Sequence, residues 1–296
     1  MKVVLAVDGS PCSLNAEQVL SKLPLSTSVD LHVVTVCPSA DLHAMSSVPE
    51  VVQDMIDQCR AQSQKLIDDA AERCRSWCAS VQTELLDGHP TKEVVEAADR
   101  LGADLIVVGA RGQSAVSRFF LGSVSDGIAK NAHCSVLVVR RDETPEAPNS
   151  PEVKRILLAY DGSPAANCAA KLLASLNLSE DDSIVIHSVI ERAPYAGLPV
   201  AETVYEVMQG ELEPKVKHVA EELRHKTPHV SSVIHVAAHA SDDLVAAATK
   251  HNSNLVVMGS TGKTVWERLF LGSVTSQVLH HAHCSVWIAR PTCESN

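Results

Sequence analysis

Residues 105–112 read Leu-Ile-Val-Val-Gly-Ala-Arg-Gly, and nine further residues separate Gly112 from Gly122, Ser123 and Val124. An apolar run that ends in glycine is typical of a buried strand leading into a turn. The Gly-Ser-Val stretch can open a helix, whose first N–H groups and positive dipole end favour a phosphate. The segment therefore predicts a strand, a glycine-rich turn and a helix start suited to an anion.

The same segment occurs a second time in the chain. Residues 255–262 read Leu-Val-Val-Met-Gly-Ser-Thr-Gly, and nine residues again precede Gly272 and Ser273. At an offset of 150, residues 102–141 and 252–291 share 16 identical positions out of 40. Identical spacing after the same kind of strand argues against chance.

A second repeated segment extends the similarity to the start of the chain. Asp-Gly-Ser-Pro at residues 8–11 recurs at residues 161–164. The chain is therefore predicted to contain two copies of one domain, over residues 1–141 and 153–296. The intervening residues 142–152 contain three prolines among polar residues, which is typical of a linker.

Each copy alternates short apolar runs with longer helical patterns. The runs carry Val, Leu and Ile on consecutive positions, as strands covered on both faces do. The predicted strands are Lys2–Val7, Leu31–Cys37, Val81–Leu86, Asp104–Gly109 and Ser135–Arg140, and then Arg155–Tyr160, Ser183–Ile190, Val230–Val236, Asn254–Gly259 and Ser285–Arg290. The helices of the first copy are predicted over Ser13–Lys22, Pro49–Cys78, Pro90–Leu101 and Ser123–Asn131. Strict alternation predicts an α/β fold with two doubly wound parallel sheets, and Pro214 predicts a break in the second long helix.

Composition excludes several classes of function. Of 296 residues, 45% are hydrophobic and 21% are charged, and the net charge is −11. Such an acidic chain is not expected to bind nucleic acid, and it lacks the basic face that a membrane surface would attract. No apolar run has the length of a membrane span, and the first residues do not resemble a signal peptide. We therefore expect a cytoplasmic protein that binds neither nucleic acid nor membranes.

The cysteines and histidines predict neither disulfides nor a metal site. The chain has nine cysteines at irregular spacing, as expected of reduced thiols in a cytosolic protein. Its histidines cluster at His280, His281 and His283, but neighbours at a helix end rarely converge on one ion. No Ser-His-Asp, paired-carboxylate or H-E-x-x-H arrangement stands out, so no catalytic residue is predicted.

The aspartates after the first strand of each copy are candidate ligand-binding residues. Asp8 and Asp161 each precede a Gly-Ser turn into a helix. Their carboxylates could accept hydrogen bonds from ribose hydroxyls, or they could simply form an Asx turn or a helix cap. The residues alone leave both interpretations open.

Taken together, these motifs resemble the universal stress protein family. The resemblance rests on G-x-x-G, nine residues and G-S after the fourth strand, with an aspartate after the first, in both copies. It implies two Rossmann-like domains with strand order 3-2-1-4-5 that bind an adenine nucleotide. By this resemblance the nucleotide-binding residues of the first copy are Ala6, Asp8, Val33, Val108, Gly109, Gly112, Gly122, Ser123 and Val124. Those of the second copy are Ala159, Asp161, Ser188, Met258, Gly259, Gly262, Gly272, Ser273 and Val274.

Two departures from the pattern suggest that the sites are unequal. The second strand of the second copy reads Ile186-His187-Ser188 where the first copy has Leu31-His32-Val33, which would alter the adenine-binding part. Arg111 occupies a position where the family usually has a small or neutral residue. It could contact phosphate or point to solvent, and the same two readings apply to Arg118 and Arg268 in the nine-residue inserts.

The resemblance implies ATP, AMP or ADP as ligand, with Mg²⁺ or Mn²⁺ to offset the phosphate charge. The expected role is a stress-response sensor or signalling component. The alternatives are a slow ATPase or autophosphorylating enzyme, and an interaction module that acts without nucleotide. The fifth strands, Ser135–Arg140 and Ser285–Arg290, are expected to pair within one chain as a pseudo-dimer. A homodimer and an unidentified protein partner are also compatible with the sequence.

Overall fold

The computed structural model describes residues 1–37, 50–112, 121–140, 152–192, 199–262 and 271–291. The chain forms two compact units, here called the first and second domains, which divide near residue 141. Each contributes five strands and has its own buried core.

The first domain is a parallel sheet with helices in the connections. Its strands are β1 (Lys2–Ala6), β2 (Asp30–Cys37), β3 (Ser80–Asp87), β4 (Leu105–Gly109) and β5 (Ser135–Val139). Its helices are α1 (Pro11–Lys22), α2 (Glu50–Cys74), α3 (Pro90–Leu101) and α4 (Ser123–Asn131). The strand order is β3-β2-β1-β4-β5, and each neighbouring pair is parallel. All five residues of β4 and of β5 are buried, because both faces of the sheet are covered.

The second domain repeats this architecture. Its strands are β6 (Arg155–Ala159), β7 (Ser183–Glu191), β8 (His229–Ala237), β9 (Leu255–Gly259) and β10 (Ser285–Ala289). Its helices are α5 (Pro164–Ser175), α6 (Pro199–Arg224), α7 (Ala240–Lys250) and α8 (Ser273–His281). The order β8-β7-β6-β9-β10 is again 3-2-1-4-5 within the copy, and its pairs are parallel. The predicted α/β fold class and strand order are confirmed.

The strand register corrects the alignment of the second strands of the two copies. Ala6 pairs with Val34 in β2, whereas its counterpart Ala159 pairs with His187 in β7. His187 therefore stands where the first domain has Val34. Ser188, which the sequence comparison set against Val33, corresponds to Thr35 and lies two positions away from the counterpart of Val33.

The predicted break at Pro214 is wrong, since α6 runs without interruption through this residue. Pro214 is exposed, and the hydrogen bond that a proline removes is therefore lost on the solvent side, where water can replace it. Leu212 and Val216, on either side, are buried, and α6 packs against β7 and β8. This packing holds the helix together across the proline.

Eight cysteines lie in the described part of the chain, and all eight are free thiols. Burial raises the pKa of Cys74 to about 12 and that of Cys78 to about 11. Both thiols are therefore protonated, and poor nucleophiles, at neutral pH. Among the helices described, none is both long and apolar enough to cross a membrane.

Candidate functional site

The predicted site residues other than Val33 and Ser188, which lie within β2 and β7, gather near the carboxyl ends of the two central strands of each domain. From β1 the chain proceeds through α1 to β2, and from β4 it proceeds through α4 to β5 on the other side. The strand order thus reverses between β1 and β4, which pair directly, Ala6 with Val108. Open parallel sheets bind ligands in the crevice formed at such a reversal. The corresponding crevice in the second domain lies between β6 and β9.

Asp8 and Asp161 form the turn that follows the first strand of each domain. The Ser10 N–H donates to Asp8 Oδ1 at 3.0 Å, and the Ser163 N–H donates to Asp161 Oδ1 at 2.9 Å. The Asx turn, one of the two interpretations of these aspartates, is therefore present in both copies. The Asx turn uses one carboxylate oxygen of each aspartate, and the second oxygen points away from the turn.

That second oxygen lies against the glycine turn after the fourth strand. A Cβ added to Gly112 would stand 2.8 Å from Asp8 Oδ2, and one added to Gly262 would stand 3.3 Å from Asp161 Oδ2. In the first domain the Ser10 hydroxyl also donates to the Arg111 carbonyl at 3.1 Å. The structure thus joins the two motifs, which are about 100 residues apart in sequence, into one site.

Gly109 and Gly259, which the resemblance places among the nucleotide-binding residues, lie against the first helix of their domain. A Cβ on Gly109 would lie 2.7 Å from the Cys12 carbonyl carbon, and one on Gly259 would lie 2.5 Å from that of Ala165. Both glycines allow the first helix of the domain to pack closely on the end of the fourth strand.

The starts of α4 and α8 have the form expected of an anion site. Gly122 and Gly272 are the N-cap residues, and no side chain of the described residues caps either helix at this position. The first N–H groups of a helix have no partner within the helix and point outward from its positive end. Ser123 and Ser273, the first helical residues, are both exposed. Backbone donors and a hydroxyl are thus available together at this edge.

Short hydrogen bonds hold these helix starts against the fourth strands. The Gly122 N–H donates to the Ala110 carbonyl at 2.8 Å, and the Gly272 N–H donates to the Ser260 carbonyl at the same distance. The hydroxyl of Ser125 also donates to Ala110 at 2.9 Å. The helix starts are therefore fixed relative to the aspartate turn.

The two sites differ in charge. Asp126 lies in the first turn of α4, where it pairs with Lys130 at 2.7 Å, whereas the matching residue of α8 is Ser276. In the second domain the side chain of Lys215 lies over the aspartate turn, with Nζ 3.6 Å from the position of a Gly162 Cβ. Sequence reasoning missed Lys215, because its place in the long helix gives no sign that α6 crosses this turn. Asp126 is neutralised by its ion pair, so the charge that distinguishes the second site here is the Lys215 ammonium beside its aspartate turn.

The residues predicted to lie beside the adenine are buried. Val33 and Ser188 are both completely buried within their strands. Within the described residues, the Ser188 hydroxyl has no hydrogen-bond partner. Tyr160, just before Asp161, donates to Asn167 Oδ1 at 2.7 Å; burial and then the charge of Asp161 raise the pKa of this phenol.

Two predicted arginines and two further histidines remain to be placed. Arg118 and Arg268 lie outside the described residues. His133 contacts Asp99, with Nδ1 2.8 Å from the carboxylate, and His283 Nδ1 lies 3.4 Å from the Thr249 hydroxyl. These histidines therefore contact neighbouring helices of their own domains, away from the crevice.

The repeated crevice, with its aspartate turn and glycine-started helix, places the chain among proteins with tandem doubly wound α/β domains. Comparison with known proteins narrows this class: the model of the universal stress protein family matches residues 1–140 and again residues 152–290. The chain belongs to the universal stress protein family.

Similar proteins support the tandem arrangement. A universal stress protein of Mycobacterium tuberculosis is 28% identical over 305 residues, covering 97% of this chain and 96% of the relative. One from Methanocaldococcus jannaschii is 35% identical over 143 residues, covering 47% of this chain and 82% of the relative. The crystal structure of a universal stress protein from Archaeoglobus fulgidus has the same fold, with a TM-score of 0.66, 18% identity and coverage of 99% and 97%.

Proposed function

We propose that this protein binds an adenine nucleotide (ATP, AMP or ADP) in each domain and acts as a sensor or signalling component in a stress response. The observation that carries the proposal is the juxtaposition, in both domains, of an aspartate carboxylate, a glycine turn and an uncapped helix start. Family membership is consistent with this assignment.

The chemistry of the crevice matches the parts of a nucleotide. An aspartate oxygen beside Gly112 or Gly262 can accept hydrogen bonds from ribose hydroxyls. The N–H groups at the start of α4 or α8, with the Ser123 or Ser273 hydroxyl, can donate to phosphate. Mg²⁺ or Mn²⁺ would be held chiefly through the phosphates and would offset their charge in this acidic protein.

Asparagine variants at the two aspartates test the proposal. Asp8→Asn and Asp161→Asn retain an oxygen for the Asx turn but can place an amide where ribose needs an acceptor. Loss of a hydrogen bond to a charged group corresponds to roughly a 10- to 100-fold weaker affinity at the altered site. Calorimetry should therefore show two nucleotides per wild-type chain, one per single variant at the same concentration, and none in the double variant.

Asp68→Asn is the matched control, since Asp68 is exposed on α2 and, within the described residues, accepts a hydrogen bond only from Gln64. Its binding should equal that of the wild type. Failure of the wild type to bind ATP, ADP or AMP at millimolar concentration contradicts the proposal. So does unchanged affinity in the double variant.

A further inference from the structure

Two histidines and an aspartate meet in the second domain, and none of the three is assigned to the nucleotide, although His187 precedes Ser188 and pairs with Ala159. His187 lies in β7, His235 in β8 and Asp243 in the first turn of α7. The register pairs His187 with Val233 and Val189 with His235. Because paired residues and alternate residues share a face of a parallel sheet, both imidazoles project toward the same side. The N-terminal turn of α7 covers that side and supplies the carboxylate.

The three side chains are close enough to share one ion. His187 Nε2 lies 2.7 Å from Asp243 Oδ2, and His235 Nδ1 lies 2.7 Å from Asp243 Oδ1. One potential ligand atom from each residue lies within 4.8 Å of the other two. Tetrahedral zinc, with bonds of about 2.0–2.1 Å, separates its ligand atoms by roughly 3.3 Å. To bind zinc, the two His–Asp pairs at 2.7 Å would open by roughly 0.6 Å. The remaining pair of ligand atoms, which lie within 4.8 Å of each other, would approach by at most about 1.5 Å.

Burial gives the cluster a rigid base and an open side. The His187 side chain is 7% exposed and that of Asp243 is 17% exposed, whereas that of His235 is 57% exposed. Two ligands are thus fixed by packing, and the third borders solvent, where an ion can enter and a water can complete its coordination.

The first domain shows that the fold does not require this cluster. By register, Val34 occupies the place of His187 and Leu86 that of His235. Glu93, the fourth residue of α3, matches Asp243, the fourth residue of α7. The same architecture thus forms with two apolar residues in place of two imidazoles. Apolar residues at the positions of His187 and His235 would stabilise the fold at least as well as two imidazoles do. Packing alone therefore does not explain why the second domain has histidines there.

We propose that His187, His235 and Asp243 bind a divalent transition-metal ion, with Zn²⁺ the best match. Two imidazoles and one carboxylate form a ligand set that suits zinc better than Mg²⁺, which favours oxygen ligands. The site is open, with three protein ligands. A metal on Nε2 of His187 also leaves an N–H on the buried Nδ1, which has no partner within the described residues. Both features lower the affinity relative to a closed four-ligand site, so the expected Kd is on the order of micromolar.

The test uses the full-length protein, treated with a chelator and then titrated with Co²⁺ and Zn²⁺ without nucleotide. Cobalt should produce the visible absorption of a four-coordinate site, and zinc should displace it at one equivalent per chain. His235→Leu introduces the residue of the first domain at an exposed position, so folding is not threatened. It should weaken zinc binding at least about tenfold, whereas His229→Leu, at the exposed start of the same strand, should have no effect.

His235→Cys provides a spectroscopic check on direct ligation. A thiolate bound to Co²⁺ adds an intense near-ultraviolet charge-transfer band, which a purely structural role for residue 235 would not produce. His187→Val should abolish the visible cobalt spectrum while the protein retains its circular dichroism. No cobalt spectrum in the wild type, or an unaltered one in both His235→Leu and His187→Val, overturns the proposal. Nucleotide binding is measured separately and does not enter this outcome.

Discussion

At the scale of single residues, one serine sets the geometry of each aspartate turn. Ser163 is buried, donates its N–H to Asp161 and accepts a hydrogen bond from the Ala166 N–H through its hydroxyl at 3.1 Å. Pro164 follows at the first helical position, where its missing N–H has no cost. Ser10 has the same place in the first domain, where the Ser13 N–H donates to its hydroxyl. The carboxylate and the start of the first helix are therefore held by a single side chain.

Removal of this cap should destabilise the second domain. Ser163→Ala leaves a buried N–H without its acceptor and should lower the free energy of unfolding by about 1 kcal/mol. Urea unfolding followed by circular dichroism measures the change. Ser175→Ala, at the exposed end of the same helix, is the control and should stay within about 0.5 kcal/mol of the wild type. Equal effects of the two substitutions would show that the cap has no special role.

At the scale of elements, the close contact between α5 and β9 depends on Gly259. The backbone of Ala165 stands where a larger residue at position 259 would place its Cβ. In α6, by contrast, Gly210 has nothing within 4 Å of the equivalent position. The methyl group of an alanine would therefore clash with backbone at position 259 but would have free space at position 210.

Alanine substitutions at these two glycines should have opposite effects on the second domain. Gly259→Ala forces α5 away from the sheet and should cost about 1–3 kcal/mol of unfolding free energy, as overpacking does. Gly210→Ala should stabilise the domain by up to about 1 kcal/mol, because alanine is the better helix former. Thermal and urea unfolding of the two variants, compared with the wild type, check the signs. Destabilisation by Gly210→Ala would contradict the packing seen at α6.

The positions of the strands can be predicted from the sequence, whereas their register and the side of each helix that faces the sheet cannot. The strands were predictable because consecutive Val, Leu and Ile residues mark a sheet covered on both faces. The true counterpart of Val33 could not be predicted in the same way. A misalignment of two residues leaves each side chain on the same face of the strand, so residue similarity alone does not reveal that Ser188 is misaligned with Val33. The break predicted at Pro214 is wrong because the sequence does not show which side of α6 faces the sheet, and therefore does not show that Pro214 is exposed. His187, His235 and Asp243 lie on three elements, and only the strand register together with the position of α7 brings them together.

At the scale of the whole molecule, the acidic charge and the proposed ligand are compatible. A net charge of −11 opposes binding to a polyanion over a large surface. A single nucleotide instead needs local donors, and backbone N–H groups at a helix start supply these without any basic side chain. The two domains present such a group of donors independently.

The predicted linker over residues 142–152 can be tested by limited proteolysis. Glu143 and Glu146 are glutamates within this segment. A glutamate-specific protease should therefore cleave there first and yield two fragments of about 140–150 residues, since each domain has its own core. Mass spectrometry of the first products identifies the cut. Initial cleavage at an exposed glutamate inside α2 or α6 would contradict this boundary.

The central position of β1 has a consequence for the order of events during synthesis. Its later neighbour is β4, and the Lys2 N–H donates to the Asp104 carboxylate across 102 positions of sequence. At a ribosomal rate of about 5–20 residues per second, β1 waits roughly 5–20 s for this partner. The last strand of the first domain ends at Val139, before β6 begins at Arg155. The first domain can therefore complete its sheet before similar strands of the second emerge, which limits the interval for mispairing between the two copies.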